Sequence, residues 1–263
     1  MQCTFYKYQG TGNDFIMIDN RSSFFKIDAK FIKKLCDRRF GIGADGLILL
    51  ENDNSSDFKM VYFNSDGNES TMCGNGGRCI VAFAKRLNII KNQTIFSAID
   101  GLHEAIIDEN DQVHLKMNDI QAIASKELSF FLNTGSPHHV VWFEDVNQLD
   151  VKHLGSEIRY SKTYEPSGCN VNFVQTINPS KINVRTYERG VEDETLSCGT
   201  GVTAAAIAFH FSKKTEATSI EIMTLGGLLQ VQFQPKEGIY EDVFLIGPAD
   251  FVFQGTFDLG NHA

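Results

Sequence analysis

The chain of 263 residues carries 24 Lys and Arg against 33 Asp and Glu, a net charge of −9. That balance leaves no basic patch for phosphates and excludes a nucleic-acid binder. Hydrophobic residues at 42% and charged residues at 22% make the composition of a soluble globular protein. No apolar run approaches the roughly 20 residues of a membrane span and no basic-then-apolar leader precedes the first motif, so a cytoplasmic protein is expected.

In chain order, Phe5-Tyr-Lys-Tyr-Gln-Gly10-Thr-Gly-Asn13-Asp-Phe15-Ile-Met-Ile-Asp19 reads as strand, glycine turn, strand. The turn sets Asn13 at a strand end, where an amide can face a ligand, although Gly and Asn suit any tight turn. Residues 28–40 have helical periodicity through Phe31, Ile32 and Leu35, with Asp28 as N-cap. Gly41-Ile-Gly43-Ala-Asp45-Gly46 precedes the buried strand Leu47–Leu50 instead of following one, which rules out a dinucleotide-binding loop. A strand over Phe58–Phe63 delivers Asn64 to Ser-Asp-Gly-Asn-Glu-Ser-Thr-Met-Cys73-Gly-Asn-Gly-Gly-Arg-Cys79, and an apolar helix follows. Strands are expected at Thr94–Ala98, Glu104–Ile107 and Val113–Met117.

The second half runs in the same order. Gly135-Ser136-Pro-His138 turns into Val140–Phe143, and residues 145–154 read as helix. Cys169-Asn170 enters a strand, and Val184–Glu188 leads to a second cysteine turn, Tyr187-Glu188-Arg189-Gly-Val-Glu-Asp-Glu-Thr-Leu-Ser-Cys198-Gly199-Thr200-Gly201. An apolar helix over 202–209 and strands at Ile220–Thr224, Leu228–Phe233 and Val243–Ile246 complete it. Cys73 and Cys198 stand 125 residues apart (198 − 73), and Tyr62 with Tyr187, Glu69 with Glu194, Gly74 with Gly199 and Gly76 with Gly201 keep that offset. Such regularity marks a duplicated domain. The expected boundaries are 1–118 plus 250–263 for the copy carrying Cys73, and 119–249 for the copy carrying Cys198. The last segment, Phe251–Phe257, should return as a strand to the first copy, since an unpaired strand would leave an exposed edge.

Each copy therefore offers one cysteine at the mouth of a buried helix. The first N–H groups of a helix lack internal partners and bind an anion, and the same partial charge favours thiolate over thiol. Cys3, Cys36, Cys79 and Cys169 read as small core or surface residues. There is no CxxC, and the seven histidines do not join cysteine at zinc-finger spacing, so no metal is expected.

With GTGNDF, FNSDGNESTMCGNGGRC, GSPH, YERGVEDETLSCGTG and a late GPA in this order, essentially the whole chain resembles the diaminopimelate epimerases. The resemblance implies an α/β (α+β) fold of two pseudo-symmetric domains, each a mostly antiparallel, barrel-like sheet around a central helix, with the active site in the cleft between them. It implies interconversion of LL- and meso-diaminopimelate, without cofactor, in lysine and peptidoglycan synthesis. Cys73 and Cys198 would be the catalytic pair. Asn13, Asn64, Asn170, Glu188 and Arg189 would bind substrate, Glu188 taking the reacting ammonium and Arg189 with the asparagines the distant end. His138 matches a histidine near the cysteines that assists proton handling. The family often has Gln at Gly46 and Asn at Ser136, positions that bear on ligand contacts.

The chemistry is consistent with that implication. Inverting an α-carbon removes a proton from one face and delivers another to the opposite face, which two thiols supply if one starts as thiolate. The amides of Gly74, Asn75, Gly199 and Thr200 can receive the charge that flows into the adjacent carboxylate. The expected partner is a small diamino dicarboxylate, with no nucleic acid and no membrane; a homodimer stays open. Two other readings fit parts of the pattern. A proline-racemase-like enzyme also uses two cysteines but gives no reason for Arg189 and the asparagines. A non-catalytic thiol redox switch leaves the helix-mouth glycines unexplained.

Overall fold

The computed structural model describes residues 2–25 and 28–259. The chain divides into two compact units, Met1–Leu115 with Pro248–Ala263, and Lys116–Gly247.

The first unit runs β1 (Gln2–Gly10), β2 (Asn13–Asp19), α1 (Ala29–Cys36), β3 (Gly46–Glu51), β4 (Phe58–Asn64), β5 (Glu69–Ser70), α2 (Gly74–Arg86), β6 (Gln93–Ala98), β7 (Gly101–Ile107) and β8 (Val113–Lys116). The second runs β9 (Ile123–Lys126), β10 (Ser129–Asn133), β11 (Pro137–Trp142), a 3₁₀ turn (Val146–Gln148), α3 (Val151–Arg159), β12 (Asn170–Asn178), β13 (Lys181–Glu188), β14 (Asp193–Thr195), α4 (Gly199–Phe211), β15 (Ser219–Thr224), β16 (Gly227–Lys236) and β17 (Ile239–Gly247). The last strand, β18 (Asp250–Asp258), belongs to the first unit and pairs antiparallel with β1.

Strand order in the first unit is β18-β1-β2-β3-β4-β6-β7-β8, antiparallel except at β2/β3 and β4/β6. In the second it is β9-β10-β11-β12-β13-β15-β16-β17, antiparallel except at β11/β12 and β13/β15. The two patterns match strand for strand. A parallel neighbour needs a crossover, and the four parallel junctions are the four places where α1, α2, α3 and α4 intervene.

These crossovers sort the helices by sequence. α1 is amphipathic: Phe31, Ile32, Leu35 and Cys36 are buried while Lys30, Lys33 and Lys34 are exposed, so it covers the outer face of its sheet. α4 has no polar face at all from Val202 to Phe209, every residue there being fully buried, and it touches strands from β10 to β17. α2 touches β18 and β1 at one end of its sheet and β7 near the other, so that sheet wraps around it. Strands caught between an outer and a central helix must be apolar on both faces. Phe15, Ile16, Met17 and Ile18 of β2 are all fully buried, as the unbroken run predicts.

Three local differences from the sequence reading have clear causes. The helix expected over 28–40 stops at Cys36, because the Asp37 carboxylate takes the backbone N–H of Arg39 and of Phe40, each at 2.7 Å. The helix expected over 145–154 is split: Asp145 caps the 3₁₀ turn through Asn147 N, and Asp150 starts a new helix through His153 N that runs to Arg159. The hairpin β9–β10 was not foreseen. Among the described residues no helix is long and apolar enough to cross a membrane.

One polar cluster fixes the strand ends of the first unit. Asp14 receives Lys7 Nζ at 2.7 Å and Arg38 at 2.7 and 2.9 Å, while Lys7 also donates to Gly43 O. Arg38 continues to Asp45 at 2.7 Å. Burial disfavours the Asp14 carboxylate charge, but the hydrogen bonds from Arg38 and Lys7 and their charges outweigh it and hold its pKa well below the usual carboxylate range. Stability from this cluster is therefore complete above the ordinary carboxylate pKa of about 4 and is lost as pH falls toward the folded-state value. Asp14→Asn should cost about 3 kcal/mol at pH 7, since it leaves Lys7 buried without its counter-ion. Denaturant titrations should show the wild type and variant converging below about pH 4; a gap undiminished at low pH would contradict this origin.

Candidate active site

In the first unit Cys73 is the N-cap residue of α2, with extended backbone (φ −105, ψ 148), and its Sγ accepts the Gly76 N–H at 3.2 Å. A sulfur here takes a donor that no carbonyl of the helix can satisfy. The mouth is too tight for side chains: a Cβ on Gly76 would stand 3.1 Å from Cys73 Sγ, and one on Gly77 would stand 2.8 Å from Met72 Sδ. Gly74 and Asn75 are buried in the first turn.

The β1–β2 hairpin aims a second group at this mouth. Gly10 pairs with Asn13, so Thr11 and Gly12 form a two-residue turn, and their φ values of 50 and 87 are those of the turn type whose twist suits a hairpin. Thr11 Oγ1 lies 3.5 Å from Asn75 Oδ1, and Asn75 Nδ2 lies 3.5 Å from Asn13 Oδ1. Asn13 Nδ2 donates to Asp45 at 2.7 Å, which ties this amide to the Asp14 cluster. Asn64 ends β4 directly across from Gly46 on β3, half-buried, and its side-chain amide has no hydrogen bond among the described residues. Gly46 itself offers nothing to a ligand through a side chain: a Cβ there would meet Phe63 O and the Tyr62 ring at 2.6 Å, so the tyrosine occupies that room.

In the second unit Cys198 N-caps α4, is 7% exposed, and has Sγ 3.5 Å from Thr200 Oγ1. A Cβ on Gly201 would stand 2.4 Å from Asn172 Oδ1 and 3.3 Å from Cys198 Sγ, so glycine is again required. Thr134, at the turn equivalent to Thr11, donates to Thr200 O at 2.9 Å. Asn170 donates to Ser136 Oγ at 2.9 Å and to Pro137 O at 3.1 Å, and accepts Arg189 N at 2.9 Å. The Arg189 guanidinium reaches Ser136 Oγ and Ser167 O, both at 3.4 Å, and pairs with no carboxylate among the described residues. Asn170, Ser136 and Arg189 therefore form one group, and Glu188 is half-buried beside it at the end of β13.

His138 is fully buried, and its Nδ1 lies 3.1 Å from Asn172 Nδ2. Asn172 Oδ1 accepts Thr186 Oγ1 at 3.0 Å, so its nitrogen is the end that donates to the ring. The imidazole proton then sits on Nε2, which has no partner among the described residues. Burial, with the Arg189 charge, lowers this histidine to about 3, and it is neutral at neutral pH.

Two residues that the sequence reading passed over belong here. Asn172 stands two residues beyond Asn170 on the same strand, and that alternation of asparagines in an apolar strand was its signal. Arg78 sits fully buried in α2, and a lone cation inside an apolar helix was the signal there. The other four thiols are chemically quiet: burial raises Cys3 and Cys169 to about 11 and Cys36 to about 12, and pushes Cys79 higher still. Cys3, Cys36, Cys79 and Cys169 form no disulfide, and among the described residues no group of side chains could hold a metal.

The family model for diaminopimelate epimerase matches the chain twice, over residues 5–123 and 130–252. A diaminopimelate epimerase of Flavobacterium psychrophilum is 61% identical over 252 residues, covering 95% of this chain and 98% of that protein. Those of Chlorobaculum tepidum and Aquifex aeolicus are 42% and 41% identical, each over 95% of this chain and over 99% and 96% of their own lengths. Among solved structures, a phenazine biosynthesis protein of the PhzF family from Bacillus anthracis aligns with a TM-score of 0.75 at 12% identity, covering 98% of this chain and all of that one. A hydroxyproline epimerase from Agrobacterium vitis aligns at 0.69 and 15%, covering 99% and 93%. At such identities the solved structures show a shared fold alone. The sequence relatives decide more: the chain belongs to the diaminopimelate epimerase family.

Proposed function

We infer that the chain interconverts LL- and meso-diaminopimelate by proton transfer between two cysteines, Cys73 and Cys198. The observation that carries this reading is that each unit sets one cysteine as the N-cap of its buried helix. Removing a proton from one face of an α-carbon and supplying another to the opposite face, with the carbanion held in place, is the work of two groups, one for each face. A thiolate is the base and a thiol the acid, and the roles exchange with direction. The α-carbanion has no cofactor to delocalise it in this reading, so its charge flows into the neighbouring carboxylate. The backbone N–H groups of Gly74, Asn75, Gly199 and Thr200 are the donors suited to that charge, being fixed before the reaction starts.

Substrate recognition falls to the polar groups around each mouth. Arg189, with no carboxylate partner among the described residues, suits the distant carboxylate of a diamino dicarboxylate, and Asn13, Asn64 and Asn170 supply amide donors and acceptors. Glu188 is assigned to the reacting ammonium. That second amino-acid end is what separates this reading from a proline-racemase-like one. The buried neutral His138, with no partner for its Nε2 proton among the described residues, fits a hydrogen-bond donor better than a charged acid. A cytoplasmic location is supported by the buried thiols of Cys3, Cys36, Cys79 and Cys169, which form no disulfide.

The test is isotope bookkeeping. With LL-diaminopimelate in D₂O, early meso product should carry deuterium at the inverted centre, while unreacted substrate and the remote stereocentre stay protiated by proton NMR. Protium retained at the inverted carbon would defeat the two-base reading. For Arg189→Lys, both kcat and KM should worsen, because a point charge cannot replace a planar fork and the non-reacting end positions the reacting carbon. Unchanged kinetics would leave Arg189 a structural residue.

A further inference from the structure

Arg78 lies in the second turn of α2 with none of its surface exposed. Its guanidinium donates to four neutral acceptors: Gly74 O, Asn75 Oδ1 and Thr11 Oγ1 at 3.1 Å, and Pro248 O at 3.3 Å. No carboxylate pairs with it among the described residues. Burial lowers its pKa to about 10, which still leaves it charged at neutral pH. A buried cation without a counter-ion is costly, and cores retain one only where surrounding dipoles or a nearby anion compensate.

The duplication shows what the charge is not needed for. The residue 125 positions on is Thr203, whose hydroxyl donates to Gly199 O at 2.9 Å, as Arg78 donates to Gly74 O. Both units thus tie the first helical carbonyl to the next turn, and the second does so with a neutral hydroxyl. Likewise Thr134 reaches the second mouth directly, through Thr200 O, while Thr11 meets the first through Asn75 Oδ1 and the guanidinium.

We propose that Arg78 is a positioning residue that makes the two mouths unequal: it fixes the Thr11 turn and the Asn75 amide, and its buried charge draws the thiolate to Cys73 in preference to Cys198. With Oδ1 of Asn75 turned to Arg78, its nitrogen is presented to Asn13. The interaction between Arg78 and Cys73 is reciprocal, a thiolate at 73 favouring the guanidinium charge as the guanidinium favours the thiolate. Other groups facing Cys73 within its unit add little. Cys79 on the same helix is held as a thiol by burial, Ile48 and Met60 beneath Gly76 are apolar, and Asp100, which accepts Met72 N at 3.3 Å, is paired with His103. Around Cys198 stand the Thr200 hydroxyl and the Asn172 amide, with His138 neutral, and Glu188 and Arg189 are half-buried and of opposite sign.

The inference rests on the reading of the two cysteines as paired bases, but its test needs no substrate. The rate of iodoacetamide alkylation is followed against pH by peptide mass, Cys73 in a Cys198→Ser background and Cys198 in a Cys73→Ser background. The pH midpoint reports ionisation even where exposure changes the plateau. Cys73 should titrate about one pH unit or more below Cys198. Adding Arg78→Met should close that gap. Arg78→Lys should preserve it while raising KM in the otherwise native enzyme, because the charge survives but the fork holding Thr11 and Asn75 does not. Equal or reversed midpoints with Arg78 in place overturn the proposal even if Arg78→Met does not fold, and so does a gap that persists in Arg78→Met. Absence of diaminopimelate turnover would overturn the preceding assignment and leave the thiol ordering intact.

Discussion

The enclosure of one helix per unit is the constraint on which the rest depends. A helix covered on all sides leaves its first N–H groups only two outlets, a capping atom or whatever occupies the mouth. Covering it takes strands on every side, and strands that flank a crossover helix are parallel, which fixes the four parallel junctions in otherwise antiparallel sheets. Covering the outside of each sheet takes a second, amphipathic helix, and α1 and α3 do this over matching apolar clusters. The mouths are then so close to neighbouring atoms that a Cβ at Gly201 would displace the Asn172 amide and one at Gly76 would press on Cys73 Sγ. The glycine-cysteine signature is the local trace of that global enclosure.

From this shared frame the two units have diverged in their polar groups. In the first, the largely buried pair Lys7 and Asp14 is joined from the surface by Arg38 and Asp45, and the four bind the strand ends and, through Asp45, hold Asn13. In the second, the corresponding edge is organised by uncharged groups, with Asn170 linking Ser136, Pro137 and the Arg189 backbone. That leaves the Arg189 guanidinium paired with no carboxylate among the described residues. A duplicated scaffold can thus place similar donors at each mouth while the polar groups beside the two mouths differ.

Much of this was legible in the sequence because it is written in short-range rules. The 125-residue offset, the unbroken apolar runs of β2 and α4, and the Asp28 cap at 2.9 Å from Phe31 N all follow from local periodicity or spacing. What escaped was either weakly patterned or held by distant partners. Strands β9 and β10 carry Ser125, Lys126 and Ser129 and are mostly exposed or half-buried, so no alternation announces them. The partner of Asn13 lies 32 residues away and that of Lys7 on the backbone 36 away, distances at which a sequence gives no pairing. The asparagines at 64 and 170 were found by resemblance, and Gly46 shows its limit: the position is shared, but the Tyr62 ring fills the space a longer residue would use.

Cys73 and Cys79 make the same point in a single helix. They are six residues apart, both held by the wrapping of one sheet, and their chemistry differs because one caps the helix and the other lies within it. At the cap, sulfur replaces a missing acceptor for Gly76 N and stands where the helix dipole favours negative charge. Inside, Cys79 is fully buried against Gly10, where burial forbids ionisation whatever charge lies nearby. Arg78, its immediate neighbour, does not rescue it, because desolvation outweighs that attraction. Reactivity here is therefore not a property of cysteine count, nor of nearness to a cation. It comes from a helix start that leaves a sulfur half-exposed while keeping its donors fixed.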